Sequence, residues 1–258
     1  MRLASRVRMN LHLDSRLSEL IYCEGFEEEE RRFLKAFLRP NDIFVDVGAN
    51  TGLFTLLAAR YVGPTGRVYA FEPCRETHNR LLENVALNRF SNVRCHQSAL
   101  SDSDKPLLMQ VSLDGFDAWN SAATPTAGTS FSSETACATT WDDFAETHHL
   151  VGRVTMMKID VEGWESRVLA GGSRSLSRRD TPVLQVEFTE QTAQGAGSSC
   201  ATLYHTLEAL GFRMFIYDAP SRRLVPDPLR QSYPYLNLIA TKNPQEVNAR
   251  LKRRSLWS

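Results

Sequence analysis

A glycine-containing loop and an acidic residue follow two consecutive apolar runs in the first third of the sequence. The apolar run 43–47 leads into the loop 48–52, which opens a helical stretch, and the next apolar run, 68–72, ends in Glu72. A loop at a helix N-terminus offers unpaired N–H groups to a carboxylate or phosphate. An acid at the end of the second strand can accept hydrogen bonds from both ribose hydroxyls. This spacing predicts a nucleotide-type site.

Two residues of the first βα segment indicate which ligand the site takes. A dinucleotide site requires G-x-G-x-x-G, whereas Asn50 takes the place of the second glycine. Beside a pyrophosphate, the carboxylate of Asp46 would cost free energy in a partly desolvated crevice. S-Adenosylmethionine carries an ammonium and a sulfonium group and no phosphate, so the same carboxylate favours it. The alternative is that Asp46 only caps the following helix, a role that is compatible with cofactor binding.

Three further carboxylates follow the predicted fourth and fifth strands. Asp160 ends the fourth strand, Glu162 comes two residues later, and Glu187 lies near the end of the fifth. A positioned base that takes a proton from an acceptor hydroxyl contributes roughly 10²–10⁴-fold to the rate. All three are therefore candidate catalytic residues, with Asp160 the strongest. The alternatives are a helix-start carboxylate for Glu162 and a hydrogen-bonded buried acid for Glu187. A sharper hypothesis is that Asp160 and Glu187 hold Mg²⁺, although the spacing assigns no metal ligands.

Alternating apolar runs and helical stretches predict the elements that position these residues. Strands are predicted at 43–47, 68–72, 93–98, 154–160, 183–188, 213–217 and 236–241. This order is typical of an α/β protein with a doubly wound, mostly parallel, seven-stranded Rossmann-like sheet and helices on both faces. With no repeat or linker in the sequence, we expect a single domain over residues 1–258.

The N-terminal segment 1–40 is predicted to be a helical cap outside the sheet. An amphipathic helix is expected over 26–38. Its acidic run begins at Glu27 and predicts a solvated face with ion pairs such as Glu27 with Arg31. A homodimer contact through this segment is a further hypothesis.

The segment 105–140 is predicted to be an insertion near the acceptor pocket. It begins with a hairpin strand at 107–111 and continues, from 121 to 135, with the Ser, Thr and Ala content of a loop. A tryptophan beside an amide can stack on and hydrogen-bond a sugar-like acceptor. The candidate substrate-binding residues are Trp119, Asn120 and Ser121; a plain loop turn is the alternative for them.

The overall composition excludes several classes of protein. The 258 residues are 42% hydrophobic and 23% charged, with 30 basic and 30 acidic residues, so disorder is not expected. The neutral balance predicts neither a nucleic-acid nor a membrane partner. No apolar run reaches the ~20 residues of a membrane helix, and no secretory signal is recognised. Five scattered cysteines without a C-x-x-C pair suit a cytoplasmic location.

Five motifs stand in the order found in FkbM-type methyltransferases, which the sequence resembles over roughly residues 20–242. They are DVGANTG at 46–52, FEP at 71–73, ALSD at 99–102, KIDVEG at 158–163 and VE at 186–187. The resemblance implies a class I methyltransferase fold and S-adenosylmethionine as the donor. It also implies transfer to a hydroxyl of a small metabolite, such as a sugar or polyketide, in natural-product biosynthesis.

The resemblance also implies roles for individual residues. Asp46 and the loop would hold the methionine end of the donor, Glu72 the ribose, and Ser98 with Ala99 the adenine. The cofactor-binding residues implied in this way are Asp46, Gly48, Ala49, Asn50, Gly52, Glu72, Pro73, Ser98, Ala99 and Asp160. One departure from the family pattern is Trp141, where the family commonly has Leu before two acids. A second is the long Ser/Thr/Ala stretch before it, which bears on the acceptor pocket and leaves the fold untouched.

Three other functions stay open at this point. N-Methylation of a small amine is one, although the chain lacks the Asn/Asp-Pro-Pro-aromatic string of many enzymes that methylate amino groups of bases or amides. A dehydrogenase is disfavoured by Asn50 and Asp46. A non-catalytic methyltransferase-fold binding module has no evident use for a ribose-binding acid such as Glu72.

Overall fold

The structure is a computed structural model that describes residues 1–3, 6–23, 25–115, 120–124 and 130–252. Its strands are β1 (Ile43–Val47), β2 (Arg67–Phe71), β3 (Val93–His96), β4 (Ala99–Leu100), β5 (Leu107–Ser112), β6 (Phe131–Ala136), β7 (Ala138–Thr139), β8 (Met156–Ile159), β9 (Val183–Phe188), β10 (Arg213–Asp218), β11 (Arg223–Pro226) and β12 (Leu236–Thr241). Its helices are α1 (Arg16–Cys23), α2 (Glu28–Phe37), α3 (Leu53–Val62), α4 (Arg75–Leu87), α5 (Trp141–Thr147), α6 (Glu165–Gly171), α7 (Ser173–Leu176), α8 (Glu190–Gly195), α9 (Cys200–Ala209) and α10 (Pro244–Lys252).

The central sheet has the strand order β11-β10-β12-β9-β8-β1-β2-β3. The five strands β3, β2, β1, β8 and β9 are mutually parallel, whereas β12 is antiparallel to both of its neighbours and β11 is antiparallel to β10. The predicted doubly wound, mostly parallel α/β sheet is confirmed. The direction of chain winding reverses between β1 and β8, and α/β proteins bind ligands at the carboxyl ends of the strands at such a point.

The sheet has eight strands rather than the predicted seven, because β11 adds an edge strand to β10. Only one of its four residues, Leu224, is buried, and the strand ends in Pro226. A short edge strand with this composition lacks the apolar run by which buried strands are recognised.

Side chains alternate between the two faces of the sheet and build a core on each. On β1, Phe44 packs with residues of α2, α3 and α10, whereas Val45 and Val47 pack with residues of α5, α6 and α9. This period of two places Asp46 on the same face as Phe44, below α3. The polar residue therefore enters the sheet next to the loop that opens α3.

The predicted insertion contains a hairpin, β5 paired antiparallel with β6, in which Leu107 lies opposite Ala136. The predicted strand at 107–111 is confirmed. The expected loop over 121–135 is wrong for 131–135, which belong to β6. The sequence FSSETA of β6 has few apolar residues, so its strand character depends on backbone pairing with β5 rather than on burial.

The N-terminal segment contributes two helices. The predicted helix over 26–38 is found as α2, and α1 precedes it. Nowhere in the described part of the chain is a helix both long and apolar enough to cross a membrane.

Candidate functional site

A crevice opens at the carboxyl ends of β1, β2 and β8, where the sequence placed the cofactor. Most of the predicted cofactor-binding residues line it, namely Asp46, Gly48, Ala49, Asn50, Glu72, Pro73, Ser98, Ala99 and Asp160. Gly52 stands behind them at the start of α3, where a Cβ atom would lie 2.7 Å from Leu81 Cδ1. Gly52 therefore serves the packing of the loop against α4 rather than the wall of the crevice.

The loop after β1 is held close to its neighbouring strands. The N–H groups of Gly48 and Ala49 both donate to the carbonyl of Phe71, at 3.0 and 2.9 Å. Gly48 has φ +79°, and a Cβ atom there would lie 1.8 Å from the carbonyl oxygen of Asp160. Glycine is required at this position both for the backbone conformation and for the contact. The contact brings the loop 48–52 against the end of β8.

Glu72 is buried at the end of β2 and points into the crevice. Its carboxylate accepts the N–H of Asn50 and the N–H of Cys74, each at 3.0 Å. Burial raises the pKa of Glu72 to about 7, although these two hydrogen bonds act in the opposite direction. The carboxylate is thus held in one orientation beside the loop, as a ribose-binding acid must be.

Asp46 is 1% exposed and accepts a hydrogen bond from the hydroxyl of Thr55 at 2.5 Å. Burial raises its pKa, and the nearby ammonium of Lys158 opposes that shift. Thr55 belongs to α3, so the contact ties β1 to that helix. The side chain thus supports the helix that follows the loop, and it also lines the crevice.

Lys158 is the cation at the centre of this acidic group. Its position on β8 is in register with Asp46 on β1, and its ammonium forms a salt bridge with Asp160. The ammonium also lies 4.0 Å from Glu27 Oε2 and 4.6 Å from the ring centroid of Phe54. Burial acts to lower the pKa of Lys158, but the surrounding carboxylates hold it above its ordinary value. Lys158 is therefore charged and shared by several acids.

The three predicted catalytic carboxylates come together at the end of β8 and β9. One carboxylate oxygen from each of Asp160, Glu162 and Glu187 lies within 4.8 Å of the others. Asp160 and Glu162 line the crevice, while Glu187 is buried beside them and is not among the described residues that line it. Burial raises the pKa of both Glu162 and Glu187, and their neighbouring carboxylates raise it further.

Glu187 has one carboxylate oxygen in use and one spare. The hydroxyl of Thr189 donates to Oε1 at 2.7 Å, whereas Oε2 is buried with no hydrogen-bond partner in the described ranges. A buried oxygen of this kind usually has a water or ion as partner. Together with Asp160 and Glu162 it could hold a hard divalent cation, which prefers oxygen ligands.

Glu27 is the site residue that the sequence interpretation missed. The expected solvated position and the pair with Arg31 are wrong, because only 2% of the Glu27 side chain is exposed and it lines the crevice beside Lys158. It precedes α2 instead of lying on its outer face, so helical spacing did not apply to it. Its positive φ of 50° turns it toward the sheet, and no local sequence signal indicates this.

The predicted substrate-binding residues occupy different positions. Asn120 lines the crevice and accepts the N–H of Ser112 at 2.9 Å. Ser121 is buried and donates to the carbonyl of Glu162 at 2.8 Å, so it braces the turn that carries this acid. Trp119 lies outside the described residues. The tryptophan among the described residues that line the crevice is Trp164, whose Nε1–H donates to Ser101 Oγ at 3.0 Å.

The family comparison places the chain among methyltransferases. The methyltransferase FkbM domain model matches residues 46–214. The 31-O-demethyl-FK506 methyltransferase FkbM of Streptomyces tacrolimicus is 30% identical over an alignment of 191 positions that covers 62% of this chain and 70% of that protein. Methyltransferase 1 of Beauveria bassiana is 38% identical over 71 residues, which are 27% of this chain but only 28% of that protein.

A solved structure shares the fold at low sequence identity. The crystal structure of an rRNA methylase from Clostridium thermocellum superposes with a TM-score of 0.50 at 10% identity, covering 83% of this chain and 93% of that one. The likeness concerns the fold alone. Because the family model spans more than half of the sequence, the chain belongs to the FkbM family of S-adenosylmethionine-dependent methyltransferases.

Proposed function

We propose that the chain transfers the methyl group of S-adenosylmethionine to a hydroxyl oxygen of a small metabolite, such as a sugar or polyketide. The observation that carries this proposal is that one crevice is lined both by Glu72, placed where an acid can bind a ribose, and by the carboxylates of Asp160 and Glu162. An alcohol is a poor nucleophile until its proton is removed, so acids beside the donor suit transfer to oxygen. The name of the Streptomyces relative, a 31-O-demethyl-FK506 methyltransferase, supports the same reaction class.

The donor is proposed to lie along the crevice from Glu72 to Asp46. Glu72 would accept hydrogen bonds from the ribose hydroxyls, with the adenine beside Ser98 and Ala99. The methionine part would then pass over the loop that starts at Gly48, toward Asp46. This orientation sets the cationic end of the donor against the acidic end of the crevice, where charge complementarity stabilises it.

Methyl transfer requires the acceptor oxygen in line with the sulfur–carbon bond, about 3 Å from the methyl carbon. The C–O bond forms while the S–C bond breaks, and the acceptor proton passes to a carboxylate. We assign that proton to the pair Asp160 and Glu162, which share one wall. Asp160 is paired with Lys158, and burial together with neighbouring carboxylates raises the pKa of Glu162. Ser121 would hold the turn that carries Glu162 in place.

A second scheme places Mg²⁺ between the same carboxylates, and the spare oxygen of Glu187 favours it. When bound, such a cation would lower the pKa of the acceptor hydroxyl. Chelation separates the two schemes. Turnover that is lost in EDTA and restored by Mg²⁺ would support the metal, and unchanged turnover would support direct proton transfer to the pair Asp160 and Glu162.

The test is the transfer of label from methyl-labelled S-adenosylmethionine to a panel of acceptors. The panel pairs hydroxylated sugars and polyketide alcohols with analogues that carry an amine at the same carbon. We expect label in a methyl ether of a hydroxylated compound, identified by mass spectrometry, and at least a hundredfold less with Asp160→Asn. Label found only on the amines would replace the proposal with N-methylation. Donor binding without transfer to any compound would favour a binding module.

A further inference from the structure

Glu27 reaches the crevice through an unusual backbone conformation. It has φ 50° and ψ 48°, the left-handed region, and immediately precedes α2. Non-glycine residues rarely adopt this region, and such residues concentrate at functional sites. The conformation turns the carboxylate inward, where only 2% of the side chain is exposed. A charged residue has been placed in a buried position at a cost in free energy, so its surroundings should explain it.

The surroundings of Glu27 hold its carboxylate in place without neutralising the group as a whole. The hydroxyl of Tyr235 donates to Oε1 at 2.8 Å, and Asn237 Nδ2 donates to the same oxygen at 3.4 Å. Oε2 faces the Lys158 ammonium at 4.0 Å, but that ammonium is already bonded to Asp160. Three carboxylates, with Asp46 the third, therefore share one cation, and a positively charged ligand would restore the balance.

The position of Glu27 corresponds to the methionine end of the proposed donor. Lys158 is in register with Asp46 and lies over the ring of Phe54, in the first turn of the helix that the donor loop opens. The carboxylate of Glu27 lies beside this lysine, with Oε2 4.0 Å from the ammonium of Lys158. The ribose acid Glu72 belongs to a separate environment: the neighbouring charge that raises its pKa is Glu134, whereas Glu27 is affected by Lys158, Asp160 and Glu30.

The N-terminal segment brings apolar groups to the crevice together with this acid. Leu17 of α1 and Phe26, which precedes Glu27, also line the wall. Both pack into the core formed on the α3 face of the sheet. The segment is thus one wall of the crevice, with a single carboxylate at the point where it meets Lys158.

We propose that Glu27 is a donor-binding residue whose carboxylate receives the α-ammonium group of S-adenosylmethionine. The donor would then contact both the first βα loop and the N-terminal segment, which covers its methionine end. This inference rests on the proposed donor site and adds a residue that lies outside the segment matched by the family model. Tyr235 and Asn237 are positioning residues in this arrangement, because they orient the carboxylate and do not contact the donor.

The test compares two donor-site probes by calorimetry. S-Adenosylhomocysteine carries the ammonium group, whereas 5′-methylthioadenosine has the same adenosine and thioether without the amino-acid part. Glu27→Gln should lower the affinity for S-adenosylhomocysteine by roughly tenfold to a hundredfold, the usual effect of losing a charged hydrogen bond. The same variant should change the affinity for 5′-methylthioadenosine by less than about twofold. Glu28→Gln is the matched control, since Glu28 pairs with Arg32 on the surface, and it should change neither.

The outcomes distinguish this inference from the proposed function. If the wild type binds neither S-adenosylmethionine nor S-adenosylhomocysteine, the donor site itself fails. The role of Glu27 alone is overturned in two cases, provided that the wild type binds S-adenosylhomocysteine. Either Glu27→Gln binds S-adenosylhomocysteine as tightly as the wild type does, or it binds both probes more weakly by the same factor. Should Glu27→Gln not fold, the same two affinities are measured with Tyr235→Phe, which removes the hydroxyl that orients Glu27. Tyr235 is half-exposed, so this variant should fold. A lower affinity for S-adenosylhomocysteine with an unchanged affinity for 5′-methylthioadenosine supports the role of Glu27, and two unchanged affinities contradict it.

Discussion

Gly48 and Asp160 are in such close contact that a Cβ atom on Gly48 would lie 1.8 Å from the carbonyl oxygen of Asp160. This contact joins the loop proposed to hold the donor to the strand end that carries the proposed proton acceptors. The backbone of the loop therefore packs directly against that strand end. The alignment of donor and acceptor is therefore set by backbone packing as well as by side chains.

Gly48→Ala should disrupt this contact and lower the free energy of unfolding by about 2–5 kcal/mol, because strain and overlap add. Gly63→Ala is the matched control: Gly63 also has a positive φ, of 69°, but a Cβ there meets nothing within 4 Å. It should cost only the backbone strain, about 1–3 kcal/mol. Urea unfolding of both variants measures the difference. Equal losses would mean that the contact with Asp160 contributes nothing.

Binding of 5′-methylthioadenosine should depend on pH through Glu72. The pKa of this acid is raised to about 7 in the free protein, and ribose hydroxyls donate to its ionised form. Affinity should therefore rise with pH up to about 7 and then level off, and be about tenfold weaker at pH 6 than at pH 8. Calorimetry at the two pH values measures this. Glu72→Gln should bind more weakly and without pH dependence, whereas Glu83→Gln, at an exposed position, should retain it. A flat profile in the wild type would remove Glu72 from the ribose site.

Asp160→Asn should separate chemistry from donor binding. Turnover of an accepted substrate should fall by roughly 10²–10⁴-fold, because a carboxylate beside the acceptor is lost. The Kd of S-adenosylhomocysteine should change by less than about tenfold. Asp180→Asn, which removes a half-exposed carboxylate paired with Arg178, should leave both quantities unchanged. Full turnover in Asp160→Asn would clear Asp160 of a role in the reaction.

Lys158→Met should destabilise the protein by about 3–5 kcal/mol, since it leaves the buried carboxylates of Glu27 and Asp46, and the partly exposed carboxylate of Asp160, without their cation. Equilibrium unfolding at pH 8, where these acids are driven to ionise, gives the largest effect. Lys105→Met replaces an exposed lysine and is the control. A stability equal to that of the wild type would show that Lys158 is not the shared counter-ion described above.

The parts of the fold that could be predicted are those in which burial produces a recognisable pattern of apolar residues in the sequence. β1 and β9 have the predicted bounds, 43–47 and 183–188, because strands covered on both faces read as continuous apolar runs. The shared position of the loop 48–52 and Glu72 in one crevice could be predicted for a related reason: the carboxyl ends of such strands meet at one edge of the sheet, so position along the chain implies position in the crevice.

The parts that could not be predicted depend on a partner distant in sequence. Glu27 is expected to be in solvent, since a charge run on a helix usually is, and its burial depends on distant residues, namely Lys158 on β8 and Tyr235 and Asn237 near β12. β6 and β11 are strands by virtue of pairing with β5 and β10, not by apolar pattern. Ser121 was predicted to bind the acceptor, whereas its hydroxyl is engaged with the backbone of Glu162.

Titration of S-adenosylhomocysteine into the wild type and into Glu72→Ala, with NAD as the competing ligand, tests the donor crevice most directly. We predict one binding site in the wild type, an affinity at least tenfold lower in Glu72→Ala with an unchanged circular dichroism spectrum, and no binding of NAD. Binding of NAD in place of S-adenosylhomocysteine, or an unaltered affinity in the variant, would contradict the proposed site.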